Sequence, residues 1–122
     1  MVATVTVTDP STPVPLVEQA IDRAHLARMT LGEASLEREV LALFERQTKL
    51  LLPRIDAREP AAAASLAHTL KGSALGIGAF QVARAAEAVE QAKEAGLPAA
   101  IDALAAAIAE TRKEIARLLR TH

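Results

Sequence analysis

The chain has 122 residues and a formal net charge of −1; hydrophobic residues make up 51% of it and aromatic residues only 2%. This length gives about one domain, whose core must consist of Ala, Leu, Ile and Val with two Phe, a composition that favours helix. Balanced charge without Tyr or Trp argues against nucleic-acid binding, and the absence of Cys excludes disulfides and thiolate metal sites. No apolar stretch suggests a membrane helix or a leader, so a cytoplasmic protein is predicted.

The amino-terminal segment is predicted to be separate from the folded domain. Residues 1–15 alternate Val and Thr and then contain three prolines, so a flexible tail is expected there. Residues 16–122 would form the domain, beginning with a short helical turn over Leu16–Ile21. Asp22 is predicted to cap a short helix that stops at Gly32.

The next predicted element is a long amphipathic helix. Ser35 is the predicted cap, and Pro53 is predicted to end the helix or to kink its last turn. A connector over Asp56–Pro60 leads into the helix that carries His68. The apolar stripe of the long helix is predicted to consist of Leu36, Val40, Leu43, Phe44, Leu50 and Leu51.

Two further helices are predicted after Gly78. The first would run to about Ala95 and stop at Gly96, and Pro98 would open the second. Four long amphipathic helices with short connections predict an all-α fold, an antiparallel four-helix bundle with one or two short N-terminal capping helices. The last helix has a 3-4 repeat of buried-type residues at Ile101, Leu104, Ile108, Thr111, Ile115 and Leu118.

The stretch from His68 to Ala74 reads His-Thr-Leu-Lys-Gly-Ser-Ala and carries the main chemical signal of the chain. At about 100° per residue, Lys71 and Gly72 fall on the same helical face as His68. His68 is therefore predicted to face solvent on a flat patch that a partner protein can approach. The other residues on that face are Ala61, Ala64, Ser65 and Leu75, while Leu66, Leu70, Ser73 and Ile77 fall on the opposite side.

Gly72 is unusual because glycine inside a helix costs about 1 kcal/mol relative to alanine. One interpretation is that a partner must approach the backbone beside His68. The other is that Gly72 relieves the crossing of two helices within the chain.

These residues resemble the histidine-containing phosphotransfer (HPt) family. The resemblance rests on the seven residues from His68 and on Gly78, ten positions after the histidine. More weakly, it spans the chain from about Ile21 to Leu119. The segment Gly76-Ile77-Gly78 departs from the family in having two glycines where one is usual. The match continues through Phe80, Val82, Ala86 and Glu87.

The resemblance implies a phosphocarrier of a two-component phosphorelay and not a stand-alone enzyme. His68 would accept a phosphoryl group at Nε2 from the aspartyl-phosphate of a receiver domain and pass it to another aspartate, since imidazole is largely neutral and nucleophilic near pH 7. Lys71 would offset negative charge on the phosphoryl oxygens. The expected partners are response-regulator receiver domains and a hybrid histidine kinase. Magnesium is expected on the receiver, so no cofactor and no metal ligand are assigned to this chain.

Supporting residues are predicted on both sides of His68. A partner-binding surface would contain Ala64, Ser65, Leu75, Leu26 and Met29. Glu90 or Gln91, on the following helix, would reach the imidazole and orient it. A monomer is expected, because the stripe of the last helix can be used within the bundle. The other two histidines, His25 and His122, receive no role, and the three have no metal-site spacing.

Two other functions remain open. The chain could be a helical docking module that binds a partner through its Ala61–Leu75 face without phosphorylation. It could also be the phosphoacceptor domain of a chemotaxis-type kinase, labelled with ATP by a separate catalytic domain. The chain itself lacks a glycine-rich phosphate loop for ATP. We expect a free-standing carrier, since the sequence starts at Met1 and ends shortly after the last predicted helix.

Overall fold

The computed structural model describes residues 19–56 and 59–121. The predicted tail over residues 1–15 and the first half of the turn predicted for Leu16–Ile21 lie outside these residues, and residues 19–21 are not helical. The described residues contain no strand and form α1 (Arg23–Met29), α2 (Ala34–Ile55), α3 (Pro60–Ile77), α4 (Phe80–Gln91), a 3-10 turn (Glu94–Gly96) and α5 (Leu97–Thr121).

Helices α2 to α5 form an antiparallel four-helix bundle. Each helix packs against the next one along the chain, and α5 packs back on α2, while α1 lies on α3 as a capping helix. The predicted all-α bundle with a short N-terminal capping helix is therefore confirmed. The core side chains of α2 and α5 are large, whereas α3 and α4 bury mainly small ones, which lets these two helices approach closely. The buried alanines of α3 and α4 are Ala63, Ala67, Ala74, Ala83 and Ala86.

Asp22 caps the first helix, as predicted. Its Oδ1 accepts the backbone N–H of His25 at 3.0 Å, which caps α1. Helix α1 ends at Met29, and the chain reverses through Leu31 and Gly32, both at positive φ. This short helix is held mainly by Leu26, which is buried in the core.

Helix α2 differs from the prediction at both ends. It begins at Ala34 with Glu33 as N-cap, so Ser35 lies inside the helix and does not cap it. Pro53 does not end the helix, because α2 continues to the fully buried Ile55, and a kink in its last turn stays a prediction. A proline near a helix end removes only one backbone hydrogen bond, and burial of Ile55 offsets that loss.

The inner stripe of α2 is also narrower than predicted. Leu43 and Leu50 are 51% and 64% exposed, so they lie outside the core face. The residues that α2 does bury are Leu41, Phe44, Thr48, Leu51 and Ile55.

Helix α4 is shorter than predicted. It ends at Gln91 and not near Ala95, because Ala92 has an extended backbone with ψ of 138°. Residues Glu94–Gly96 form a separate 3-10 turn before α5. Helix α5 starts at the buried Leu97, which places Pro98 in its first turn as expected, where a missing N–H is tolerated.

A two-residue turn, Gly78 and Ala79, joins α3 to α4 and sets the position of the site. Gly78 has φ of +82°, and the N–H of Ala79 returns to the carbonyl of Ala74 at 2.9 Å. The carbonyl of Gly78 also accepts the N–H of Asp22 at 2.9 Å, which ties α1 to this turn. Because the turn is tight, α4 runs back along α3 and its last turn lies beside His68.

Candidate functional site

His68 lies in the middle of α3 with 70% of its side chain exposed to solvent. Its Nδ1 is 2.7 Å from Oε2 of Glu90, in the last turn of α4. This is the contact predicted for Glu90. Gln91, the alternative to Glu90 in that prediction, instead donates to the carboxylate of Glu87 at 3.1 Å, so Glu90 is the one of the two that contacts the imidazole.

The Glu90 carboxylate joins two side chains of α3. While Oε2 contacts His68, Oε1 lies 2.9 Å from Nζ of Lys71, which is one helical turn after the histidine. The side chains of Lys71 and Glu90 are only 25% and 20% exposed, so this ion pair is better shielded than a typical surface pair. The Lys71–Glu90 pair was not predicted, because it joins two helices and spacing along one helix indicates only pairs within it.

The pair fixes the charge of both groups near neutral pH. The hydrogen bond from Lys71 lowers the pKa of Glu90 below its ordinary value of 4.5; partial burial opposes this shift, and the hydrogen bond with His68 adds to it. The same hydrogen bond raises the pKa of Lys71 above 10.5, and the charge of Glu87 contributes. Glu90 is therefore an anion at neutral pH, held between a cation and the imidazole.

A carboxylate at 2.7 Å determines which nitrogen of a neutral imidazole carries the proton. A carboxylate can only accept a hydrogen bond, so the neutral ring must place its proton on Nδ1. The lone pair is then on Nε2, on a side chain that is mostly exposed. An imidazole nitrogen with a free lone pair is the one that can act as a nucleophile, and in this tautomer that nitrogen is Nε2.

Gly72 leaves open space beside His68. A Cβ built on Gly72 has no atom of residues 19–56 or 59–121 within 4 Å outside its own helix, so no other described helix crosses there. The interpretation that Gly72 relieves a helix crossing is therefore wrong. Access for a partner remains the prediction for this residue.

The residues predicted to bind a partner fall into two groups. Ser65 is exposed, Ala64 is half-buried, and Leu75 and Met29 are 46% and 58% exposed, so these four are available at the surface. Leu26 is only 1% exposed, and its assignment to the docking surface is wrong because the side chain belongs to the core. Leu75 lines a groove of about 210 Å³ between α3 and α4, with Lys71, Phe80, Ala83, Arg84 and Glu87.

Other features of the described residues are less informative. The ring of His25 packs edge-on against Phe80, with the ring centroids 5.3 Å apart. Within residues 19–56 and 59–121, no three His, Asp or Glu side chains are grouped as metal ligands. None of the helices in these ranges is both long and apolar enough to cross a membrane.

Comparison with known proteins assigns the bundle and its histidine to a family. Residues 25–119 match the family model described as Hpt domain. The crystal structure of the histidine phosphotransferase ShpA from Caulobacter crescentus is similar with a TM-score of 0.54 and 35% sequence identity, over 82% of this chain and 98% of that one. No curated protein matches the chain significantly. The chain is thus a member of the Hpt domain family, whose members are phosphocarriers of two-component signalling.

Proposed function

We propose that this protein relays a phosphoryl group between receiver-domain aspartates of a two-component phosphorelay, through a phosphohistidine at His68. The observation that carries the proposal is the contact of Nδ1 with Glu90 at 2.7 Å on an otherwise exposed imidazole. This contact leaves Nε2 as the nitrogen that can attack.

The inward step forms one bond and breaks one. The Nε2 lone pair of His68 attacks the phosphorus of an aspartyl-phosphate, and the bond between phosphorus and the aspartyl oxygen breaks. Its electron pair leaves with the receiver carboxylate. The reverse of this step, on a second receiver, passes the phosphoryl group onward.

The remaining requirements are divided between the two proteins. Phosphoryl transfer depends mainly on positioning and on charge stabilisation of the phosphoryl oxygens. We assign part of the charge stabilisation to Lys71, one turn from His68, and access of the partner to Gly72. Magnesium and the acidic residues that bind it are assigned to the receiver, so this chain acts as a carrier and not as an enzyme.

The partners follow from the same division. The receiver domain of a hybrid histidine kinase would supply the phosphoryl group, and the receiver of a response regulator would accept it. The surface that such a receiver contacts would include Ala64, Ser65, Leu75 and Met29. Ala64, Ser65 and Leu75 are on the same helix as His68, and Met29 is exposed on α1, which packs on that helix.

The test is phosphoryl transfer from a phosphorylated receiver to the full-length chain. We expect an acid-labile, base-stable label on the wild type, no label on His68→Gln, and full label on His25→Gln, which serves as the matched control. A panel of receivers that leaves the wild type unlabelled, or equal label on His68→Gln, would reject the proposal. Labelling only by a kinase catalytic domain with ATP would favour the chemotaxis-type phosphoacceptor instead.

A further inference from the structure

We infer that Glu90 keeps the proton on Nδ1 of His68 after Nε2 has been phosphorylated, so that the phosphoryl group leaves from an imidazolium ring. Glu90 would thus be a positioning residue for outward transfer as well as for the free nucleophile. This inference rests on the proposed function, because it requires phosphohistidine at His68.

Glu90 contacts Nδ1 of His68 and Nζ of Lys71, and neither contact is with Nε2, the nitrogen that reacts. Oε2 of Glu90 contacts Nδ1 at 2.7 Å, and Oε1 contacts Lys71 at 2.9 Å. Both contacts lie between α3 and α4, whereas Nε2 is at the opposite side of the imidazole ring. A phosphoryl group can therefore be added at Nε2 without displacing the carboxylate from Nδ1.

The inward step creates a positive charge next to this carboxylate. When the Nε2 lone pair forms the bond to phosphorus, the ring carries a proton on Nδ1 and a phosphoryl group on Nε2, and it becomes cationic. In water such a ring can release its Nδ1 proton and become neutral. An opposite charge within about 4–6 Å favours the charged form of a group, and Glu90 is closer than that.

The outward step depends on the same proton. When the bond between Nε2 and phosphorus breaks, its electron pair returns to Nε2. If Nδ1 is still protonated, the leaving group is a neutral imidazole. If Nδ1 has lost its proton, the leaving group is an imidazolate, which is a far stronger base and leaves slowly. With Glu90 in place, neither transfer step requires a proton to enter or leave the ring.

The other charged groups at the site change how strongly the Nδ1 proton is held, but they do not take the place of Glu90. Lys71, from α3, opposes a positive ring, while Glu87, from α4, acts on Lys71 and accepts a hydrogen bond from Gln91. Arg84 lines the adjoining groove. No hydrogen bond or ion pair joins His68 to α1, α2 or α5 within residues 19–56 and 59–121. Glu90 is therefore the charge with the direct contact to the imidazole.

The test is the pH profile of outward transfer from the phosphorylated full-length chain to one receiver. The wild type, Glu90→Gln, Glu90→Asp and the control Glu39→Gln, at an exposed site on α2, would be phosphorylated with phosphoramidate, which bypasses the first receiver. For Glu90→Gln we expect outward transfer near the wild-type rate at about pH 6 and about tenfold slower at about pH 8. Glu90→Asp should restore part of the rate, and Glu39→Gln should follow the wild type.

A second readout does not depend on the receiver. The ring nitrogens of phosphorylated His68, followed by 15N NMR, should lose the Nδ1 proton at a pH about one unit lower in Glu90→Gln than in the wild type. Superimposed titrations, or a Glu90→Gln rate reduced by the same factor at every pH, would overturn the inference. Failure of the proposed function is distinguishable, because the wild type would then form no phosphohistidine at position 68.

Discussion

The middle and the carboxyl-terminal end of α3 each contain a glycine, and the two glycines have opposite surroundings. Outside its own helix, no described atom lies within 4 Å of a Cβ built on Gly72, whereas a Cβ on Gly78 would be 2.9 Å from the carbonyl oxygen of Asp22. Gly78 also has φ of +82°, while Gly72 is an ordinary helical residue. One position is therefore constrained by the fold, and the other leaves room for something outside it.

The two histidines of the described helices show the same contrast. His68, beside Gly72, is mostly exposed and contacts a carboxylate, while His25, beside Gly78, packs its ring against Phe80. The middle of α3 is thus an exposed polar surface, and the end of α3 is a packed junction with α1 and α4. Changes in the middle should affect transfer far more than stability, and changes at the end should do the reverse.

The largest expected effect is the loss of function in His68→Gln. Because Nε2 is the proposed nucleophile, transfer from a phosphorylated receiver should disappear completely. The side chain is 70% exposed, so the free energy of unfolding should change by less than about 0.5 kcal/mol. Radiolabel transfer and urea denaturation measure the two quantities. Residual transfer, or a large loss of stability, would contradict the difference inferred between the middle and the end of α3.

The largest expected loss of stability is in Gly78→Ala. A left-handed backbone costs a non-glycine residue roughly 1–2 kcal/mol, and the Cβ must also push away the Asp22 carbonyl, so we expect about 2–3 kcal/mol in urea denaturation. The matched control is Gly32→Ala, where φ is +73° but no atom lies within 4 Å of the added Cβ. Gly32→Ala should lose only the roughly 1–2 kcal/mol that the left-handed backbone costs a non-glycine residue. Equal losses in the two variants would show that the contact with Asp22 contributes nothing.

Gly72→Leu should separate helix stability from partner access. A Cβ at this position meets no described atom outside its own helix within 4 Å, and replacing glycine should stabilise α3 by up to about 1 kcal/mol. Transfer from a receiver should nevertheless fall by about tenfold, since bulk is added where the partner approaches. Gly72→Ala should keep most of the transfer, and Ala106→Leu, at an exposed site on α5, should keep all of it. Unchanged transfer in Gly72→Leu would show that receivers do not approach this face.

The smallest expected effect is the pH dependence of the contribution of Glu90 to stability. Its pKa is lowered in the fold, so its stabilising contribution is present above the ordinary value of 4.5 and is lost as the pH falls through the lowered pKa. Above the raised pKa of Lys71 the pair is lost again. The wild type should therefore melt a few degrees above Glu90→Gln at neutral pH, and the difference should vanish in acid. A difference that grows in acid would contradict this sign.

The sequence was most informative where a residue's role depends on its own helix. The period of α3 placed His68, Lys71 and Gly72 on one face, and the structure has them there, because helical geometry alone fixes that relation. The position of Asp22 as a cap was predictable for the same reason. The role of each residue around His68 was suggested by the family resemblance and not by this geometry.

The errors concern competition between local and tertiary effects. Pro53 is locally unfavourable in a helix, but burial of Ile55 keeps α2 intact past it. Leu26 and Met29 are three residues apart on one short helix, and periodicity does not tell which of them meets the core. The pairing of Lys71 with Glu90 depends on the tight turn at Gly78, which sets how far α4 runs back along α3.

Because only two residues connect α3 and α4, the candidate site could be moved to another protein as one piece. His68, Lys71, Gly72 and Glu90 all belong to one helical hairpin, and α2 and α5 supply none of them. The proposed reactive centre is therefore encoded in one contiguous stretch of about two dozen residues, which α2 and α5 support. A designer could graft this hairpin onto another pair of supporting helices, to give a carrier with an unchanged reactive centre.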